Sequence, residues 1–466
     1  MPPTIMQESK QHFHFIGICG TAMGAVAAAM KQRGHVVTGS DANIYPPMST
    51  FLLDQGVALS SGYAAENIPA ATDQVIIGNA ISRGNDEAEA VLDRKLLYVS
   101  LPEVLKMQFL RGKSNYVITG THGKTTTTSM LAWLLLDAGK DPSFMIGGLA
   151  KNLGVGAKFT SSKFTVLEGD EYDTAFFDKR SKFMHYLPEV VVINNIEFDH
   201  ADIYDSLHAI KLSFRRLLNV MPRNGIAFIN GDCANTLEVA STSPAPVSRV
   251  GLSEDCDCRI QNIVYSSEGS AFTIEGERYL VPMDGEFNVR NAAMAVCAAR
   301  HAGLSPDTIR VSLAKFKGIA RRQEVRGEVR GVRVIDDFGH HPTAIGQALR
   351  AMKLRYPVGK VWAVFEPRSN TSQRNTLQDE LVEALAEADG AIIPPISAPE
   401  KFRPEDRLDP EAVISAVCAK GTEGYYEHDV DAIIARLKPL VSRGDTIIVL
   451  SNGGFGGIHD RLLNEL

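Results

Sequence analysis

The stretch from Tyr116 to Asp137 constrains the fold more than any other part of the chain. Tyr116–Thr119 reads as a short buried strand and Thr125–Asp137 as a helix closing at Gly139, with Gly120-Thr121-His122-Gly123-Lys124 between them. A strand that enters a helix through a glycine turn belongs to a parallel sheet covered by helices, because parallel strands require crossover connections. The turn also carries chemistry. Glycines let backbone N–H groups close around phosphate oxygens, and a helix start adds free donors and a favourable dipole. Gly120, Thr121, His122, Gly123, Lys124, Thr125 and Thr126 therefore form a candidate triphosphate cradle. Lys124 would reach the β- and γ-phosphates and the Thr125 hydroxyl would ligate Mg²⁺. Strict loops of this kind carry glycine at position 118, where this chain has Ile118; Gly120-x-x-Gly123 is a tighter substitute. A capped turn that precedes a lysine by chance is the plainer reading. The Lys-Thr pair in a strand–turn–helix setting argues against it.

The same alternation runs along the whole chain. His12–Ile18, Val36–Ser40, Gln74–Gly78 and Leu97–Val99 read as strands of a first unit, with an Ala-rich helix over Thr21–Arg33. A polar hinge at Arg111–Ser114 leads to a second unit, with further strands at Phe164–Leu167, Val190–Asn194 and Ile226–Ile229. Residues 244–281 read as an antiparallel appendage, followed by a helix over Asn288–Ala302. A third unit begins after Arg321-Arg322, with strands at Val332–Asp336, Val361–Phe365, Ala391–Pro394 and Thr446–Leu450. At 466 residues the chain exceeds what one core serves. Three α/β domains in series are expected, spanning 1–111, 112–322 and 323–466.

Several strand ends carry charged or amide residues. Val166–Asp173 runs from a strand into four carboxylates, Glu168, Asp170, Glu171 and Asp173; hard Mg²⁺ takes oxygen ligands of this kind beside phosphates. Asn194–Asp202 repeats the pattern and sets His200 between Asp199 and Asp202, where neutral imidazole would bind a second divalent ion. A solvated acidic loop and a structural histidine are the plainer alternatives. Gly17-Ile18-Cys19-Gly20-Thr21-Ala22-Met23-Gly24 opens a helix after a strand but breaks the dinucleotide spacing at Cys19 and Ala22. A diphosphate could still rest there, with Asp41 facing a sugar hydroxyl, and packing explains these glycines equally well. Asn288 and Asn291, Arg321-Arg322 and Asp336–Pro342 cluster at domain edges, where they could grip a nucleotide or serve only as caps and solvated charges.

The bulk numbers narrow the class. With 48 basic and 55 acidic residues the formal charge is −7, which excludes a general nucleic-acid binder but leaves room for a local anion pocket. Six scattered cysteines with one close pair, Cys256 and Cys258, fit reduced thiols better than a zinc framework. Met1–Gln11 lacks the pattern of a signal peptide, and no apolar run is long enough to cross a bilayer. A cytoplasmic protein without membrane partners is expected.

Taken in order, GTHGKTTT, EGDE, NIEFDH, FNVRN, RRQE and DDFGHHP resemble the Mur ligase superfamily over essentially the whole chain. Its members join amino acids or peptides to a UDP-N-acetylmuramic acid carboxylate. The resemblance implies Rossmann-like first and third domains around a central P-loop ATPase domain, with UDP-sugar, ATP and incoming peptide assigned to them in chain order. Two branches use free UDP-N-acetylmuramate, one adding L-alanine and the other the tripeptide L-alanyl-γ-D-glutamyl-meso-diaminopimelate. Gly39–Thr50, Gly78–Asn85, Tyr172–Phe183, Phe365–Thr371 and Ser451–His459 are more similar to the tripeptide branch.

The family pattern further implies that Lys124 and Thr125 hold phosphate and Mg²⁺, that Glu168 bridges the metals and that His200 ligates the second. Asn291 would meet adenine, Arg322 the γ-phosphate and Asp337 the ribose, with His340 near the reacting groups. Gly20, Met23, Ser40 and Asp41 would line the UDP site, Asn79, Ser82 and Arg83 the sugar, and Arg368 and Asn370 the peptide. The rival readings are the alanine ligase, a nicotinamide oxidoreductase, and a module that hydrolyses ATP without ligation.

Overall fold

The structure, a computed structural model, describes residues 10–466. Most of the polar N-terminal stretch considered above for a leader lies outside the described residues. Three large sheets follow one another along the chain, their central strands buried on both faces, and a two-stranded antiparallel ribbon pairs Asp173–Ala175 with Asp178–Ser181. The first is five-stranded and wholly parallel, in the order Ala58–Ser61, Val36–Asp41, His12–Ile16, Gln74–Ile77, Tyr98–Ser100. Its innermost strand, His12–Ile16, ends in a turn at Gly17, so the strand expected to reach Ile18 stops two residues sooner.

The second sheet has ten strands. Ser114–Thr119 pairs in parallel with Val190–Ile193 on one side and Phe164–Glu168 on the other. This pairing brings the ends of three strands, at Thr119, Glu168 and Ile193, to one edge, where ligands of open α/β sheets gather. The expected antiparallel appendage is only partly antiparallel. Val247–Gly251 pairs in parallel with Ile226–Asn230 and extends the main sheet, while Cys258–Ser266, Gly269–Ile274 and Glu277–Val281 form the antiparallel part. The helix Glu286–His301 lies against Lys124–Asp137; its run of alanines lets the backbones approach closely.

The third sheet has six strands and contains two that sequence patterning misses. Glu324–Val329 pairs antiparallel at one edge and Glu423–Tyr426 in parallel at the other. Neither is an apolar run, because each has a single sheet neighbour and stays partly exposed.

The two junctions differ in character. First and second units share one apolar cluster that runs from Phe109 and Leu110 to Val117, Leu167 and Phe183, with Phe109 against Phe159 at 4.4 Å between ring centres. Second and third units meet mainly through polar groups. Thr371 Oγ1 donates to Asp199 at 2.8 Å, Thr343 Oγ1 to Glu197 at 2.7 Å, and Arg355 to Asp284 at 2.8 Å. Phe287 supplies the apolar exception, packing on the third unit's core.

Candidate active site

Gly120 and Gly123 make the central turn possible. Their φ angles are +127° and +78°, and a Cβ on Gly123 would fall 2.2 Å from Asn291 Oδ1 and 2.8 Å from Asn194 Nδ2. Only glycine fits this left-handed, crowded position. The loop is braced from behind: Thr121 N donates to Asn195 O, and His122 N to Asn195 Oδ1 at 2.8 Å. Asn291, on the helix Glu286–His301, also accepts a bond from Thr127 Oγ1 at 3.3 Å. It stands in the wall behind the turn.

Lys124 folds back into its own loop. Its Nζ donates to Gly120 O at 2.7 Å and lies 2.8 Å from Glu171 Oε2, with only 12% of the side chain exposed. Burial disfavours the ammonium, but Glu171 and Asp170 outweigh it and the pKa rises. Burial likewise pushes Glu171 up, yet Lys124 and His200 hold it below the usual carboxylate range. His200 Nε2 sits 3.3 Å from Glu171 Oε1, a contact that raises the imidazole pKa against its burial. Glu171 is thus the hub between Lys124 and His200, a role sequence patterning did not assign.

Thr125 and Glu168 come together as expected. Thr125 Oγ1 donates to Glu168 Oε1 at 2.7 Å, and Gly147 N to Glu168 Oε2 at 2.6 Å. Burial, then the charge of Asp170, raises the Glu168 pKa. Two hard oxygen donors side by side in a buried, acidic setting fit Mg²⁺. The next glycine, Gly148, is followed by a loop that reaches the first unit: a Cβ on Gly156 would lie 3.6 Å from Thr21 Cγ2.

A cleft of about 490 Å³ connects this loop to the third unit. Lys124, Glu168, His200, Arg322, Asp337 and His340 all line it. Arg322 is held between two left-handed residues, Arg321 (φ +61°) and Gln323 (φ +49°), and lies 5.0 Å over the Phe338 ring. Such conformations persist where surrounding contacts hold them, and they concentrate at functional sites. His200 (φ +54°) is a third. Asp337 accepts from Gln323 N and Gly339 N, and burial raises its pKa. His340 stands 3.9 Å from Asp199, and burial lowers its pKa.

The residues assigned to the nucleotide-sugar end divide. Gly20 and Asp41 lie at the first sheet's ligand edge, where Asp41 accepts from Cys19 N at 2.9 Å and Asn43 N at 3.0 Å. Asn79, Ser82 and Arg83 are exposed, and Arg83 is paired with Glu89 at 2.9 Å. Met23 and Ser40 do not present side chains to a surface. Met23 belongs to the core, and the fully buried Ser40 hydroxyl donates to Glu87. At a strand end the alternation of faces turned Ser40 inward, and its carbonyl already accepts from Gly17 N and Ile18 N. Arg368 and Asn370 are exposed in the third unit; Arg368 lies 3.6 Å from Glu366, while the buried neighbour Thr371 makes the link to Asp199.

A glycine loop with its lysine at a helix start, two oxygen donors beside it and a cleft of this size mark a nucleotide-binding α/β enzyme. Three family models match in series: the Mur ligase family catalytic domain over residues 12–112, the Mur ligase middle domain over 118–299, and the Mur ligase glutamate ligase domain over 321–453. The chain is 41% identical over 461 residues to the UDP-N-acetylmuramate–L-alanyl-γ-D-glutamyl-meso-2,6-diaminoheptandioate ligase of Escherichia coli, covering 97% of this chain and 98% of that protein. Identity to the enzyme of the same name from Haemophilus influenzae is 39%, covering 98% and 99%. A UDP-N-acetylmuramate–L-alanine ligase from Dechloromonas aromatica is 31% identical over 97% of this chain and 98% of its own length. Among solved structures, a murein peptide ligase from Psychrobacter arcticus matches with a TM-score of 0.71 at 36% identity, over 97% of this chain and 98% of that one. The chain belongs to the Mur ligase family.

Proposed function

We propose that this chain joins the tripeptide L-alanyl-γ-D-glutamyl-meso-diaminopimelate to the carboxylate of UDP-N-acetylmuramate at the expense of ATP, through an acyl phosphate, in peptidoglycan recycling. The observation that carries the reading is identity of 39–41% over nearly the whole length of two ligases with that specificity, against 31% for an alanine-adding relative.

The chemistry has a definite electrostatic demand. A carboxylate is a poor acyl donor, so its oxygen attacks the γ-phosphorus, ADP leaves, and the tripeptide's amine then displaces phosphate. Three anionic groups converge in the first step, and fixed positive charge aimed at them is the main source of rate. Lys124 from the P-loop and Arg322 from the junction with the third unit, both lining the cleft, supply that charge. In the ligand-free state Glu171 keeps Lys124 ionised and in place; incoming phosphates exchange for the Gly120 carbonyl as its partner. Thr125 and Glu168 would hold Mg²⁺, with the neutral imidazole of His200 at a second ion. A bound Mg²⁺ offsets phosphate charge. Water must be kept from the acyl phosphate, and a cleft roofed by the third unit, with His340 and Phe338 over it, answers that need. ATP and UDP-sugars are cytoplasmic solutes, and no helix among the described residues is long and apolar enough to cross a membrane.

A panel of amines tests the reading. With UDP-N-acetylmuramate and ATP, ADP release is expected with the tripeptide and only weakly with L-alanine. Release with alanine and none with tripeptide would transfer the chain to the alanine-adding branch.

A further inference from the structure

One cluster of metal-ligating side chains stands apart from the Thr125–Glu168 pair. His122 Nε2 lies 3.2 Å from Glu197 Oε2, and His341 Nδ1 lies 3.6 Å from the same oxygen. All three atoms fall within 4.8 Å of one another. We propose that His122, Glu197 and His341 form a site for a borderline divalent cation, Zn²⁺ foremost, that fastens the P-loop to the third unit.

The donor set selects the ion. Two imidazoles and one carboxylate suit zinc and its neighbours, whereas Mg²⁺ and Ca²⁺ take oxygen. A tetrahedral ion with bonds of about 2.1 Å sets its ligand atoms roughly 3.4 Å apart, so the two separations to Glu197 already fit, and the two histidine nitrogens lie within 4.8 Å of each other.

The surroundings supply a second, independent sign. His341 Nε2 faces Phe198 O at 3.1 Å, which places the ring proton on Nε2 and leaves Nδ1 an acceptor whose present partner is the Thr343 amide at 3.3 Å, a long cap bond that a cation would replace. Glu197 Oε2 is held by Thr343 Oγ1 at 2.7 Å. Zinc-binding histidines and carboxylates are oriented by outer partners of this kind. Burial keeps His341 neutral down to about pH 4, the protonation state a ligand needs. The other histidine–carboxylate cluster, Glu103, Asp178 and His185, lacks this opening, because the Arg180 guanidinium already grips both Asp178 oxygens.

The three ligands come from the P-loop, the end of the strand Val190–Ile193, and the start of the helix Pro342–Arg355. His122 and His341 both line the nucleotide cleft, leaving the fourth coordination position open to water. Binding requires the third unit to be docked, so the ion would bind the closed arrangement selectively and hold it.

The test is equilibrium dialysis of the full chain with Zn²⁺ alone, free of nucleotide and Mg²⁺, alongside the thermal midpoint. Wild type should bind one ion tightly and gain stability. Glu197→Gln and His341→Ala should each weaken binding by more than about 100-fold, beyond what loss of an outer partner costs, and Thr343→Val by about 10-fold. Glu168→Gln, His200→Ala and Cys258→Ser should retain it. Should His341→Ala fail to fold, the partly exposed Glu197 carries the test. Zinc binding that survives Glu197→Gln, that is lost with Glu168, His200 or Cys258, or that is absent from wild type overturns the proposal. None of these outcomes depends on whether the chain ligates.

Discussion

At the scale of single residues, the P-loop is held in a charged, ready state by a partner outside it. Glu171 neutralises a buried ammonium and at the same time orients His200. Removing one member of such a pair strands the other. Glu171→Gln is therefore expected to cost the ligand-free protein about 3 kcal/mol, measured by denaturant unfolding. ATP with Mg²⁺ should restore most of that loss by giving Lys124 new anionic partners. An equal loss with and without nucleotide would show that the pair is only structural. Gly123→Ala makes a steric prediction instead. A methyl group 2.2 Å from Asn291 Oδ1, at φ +78°, must displace the loop or the amide, so ATP affinity should fall by at least about tenfold while the fold survives; calorimetric titration reads it directly.

Local signals made the cradle and the metal pair visible in the sequence. Gly120, Gly123, Lys124 and Thr125 are contiguous, and Glu168 announces itself at the end of an apolar strand. Glu171 was visible as a carboxylate but not as a partner, because its bonds span 47 residues to Lys124. Ser40 was misread for the converse reason. It looks polar at a strand end, and only the position of Glu87 reveals that it faces inward.

At the scale of elements, continuous apolar strands were readable because parallel sheets bury both faces. Glu324–Val329 and Glu423–Tyr426 were not, since edge strands keep polar residues that resemble loops. Val247–Gly251 was assigned to the wrong kind of pairing, for strand direction is fixed by the connection, which local composition does not encode. The seam between the second and third sheets, where the helix Pro342–Arg355 begins against the end of Val190–Ile193, yields a pH prediction. His341 titrates at about 4 in the fold, below its ordinary 6.5, because burial disfavours its charge. Its contribution is complete above about pH 6.5 and is lost as pH falls toward 4. Glu197, held down to about 2 by His122 and Thr343 against its burial, adds a contribution present above about 4.5 that fails only in stronger acid. Thermal midpoints should drop between pH 7 and 4.5, with His341 contributing on the order of 3 kcal/mol at most. His341→Asn should flatten that slope; an unchanged slope would remove His341 from the seam.

At the scale of the whole molecule, an apolar joint fastens the first unit to the second, and a polar one joins the third. Polar inter-domain contacts of the second kind give way first, so amide exchange over Phe338–Thr343 should open before that over Tyr116–Thr119, and ATP with UDP-N-acetylmuramate should slow it. Uniform exchange across both segments would contradict a mobile third unit. This division suits a reaction that must admit three substrates and then exclude water.

The central claim is that phosphate transfer at the P-loop is spent on an amide bond, and the direct measurement is the ratio of amide formed to ADP released, with tripeptide, UDP-N-acetylmuramate and ATP all present. One new amide is expected for each ADP, with loss of both by more than about 100-fold in Lys124→Ala while UDP-sugar binding is retained. ADP released without amide, or a Lys124→Ala enzyme that still ligates, would contradict it.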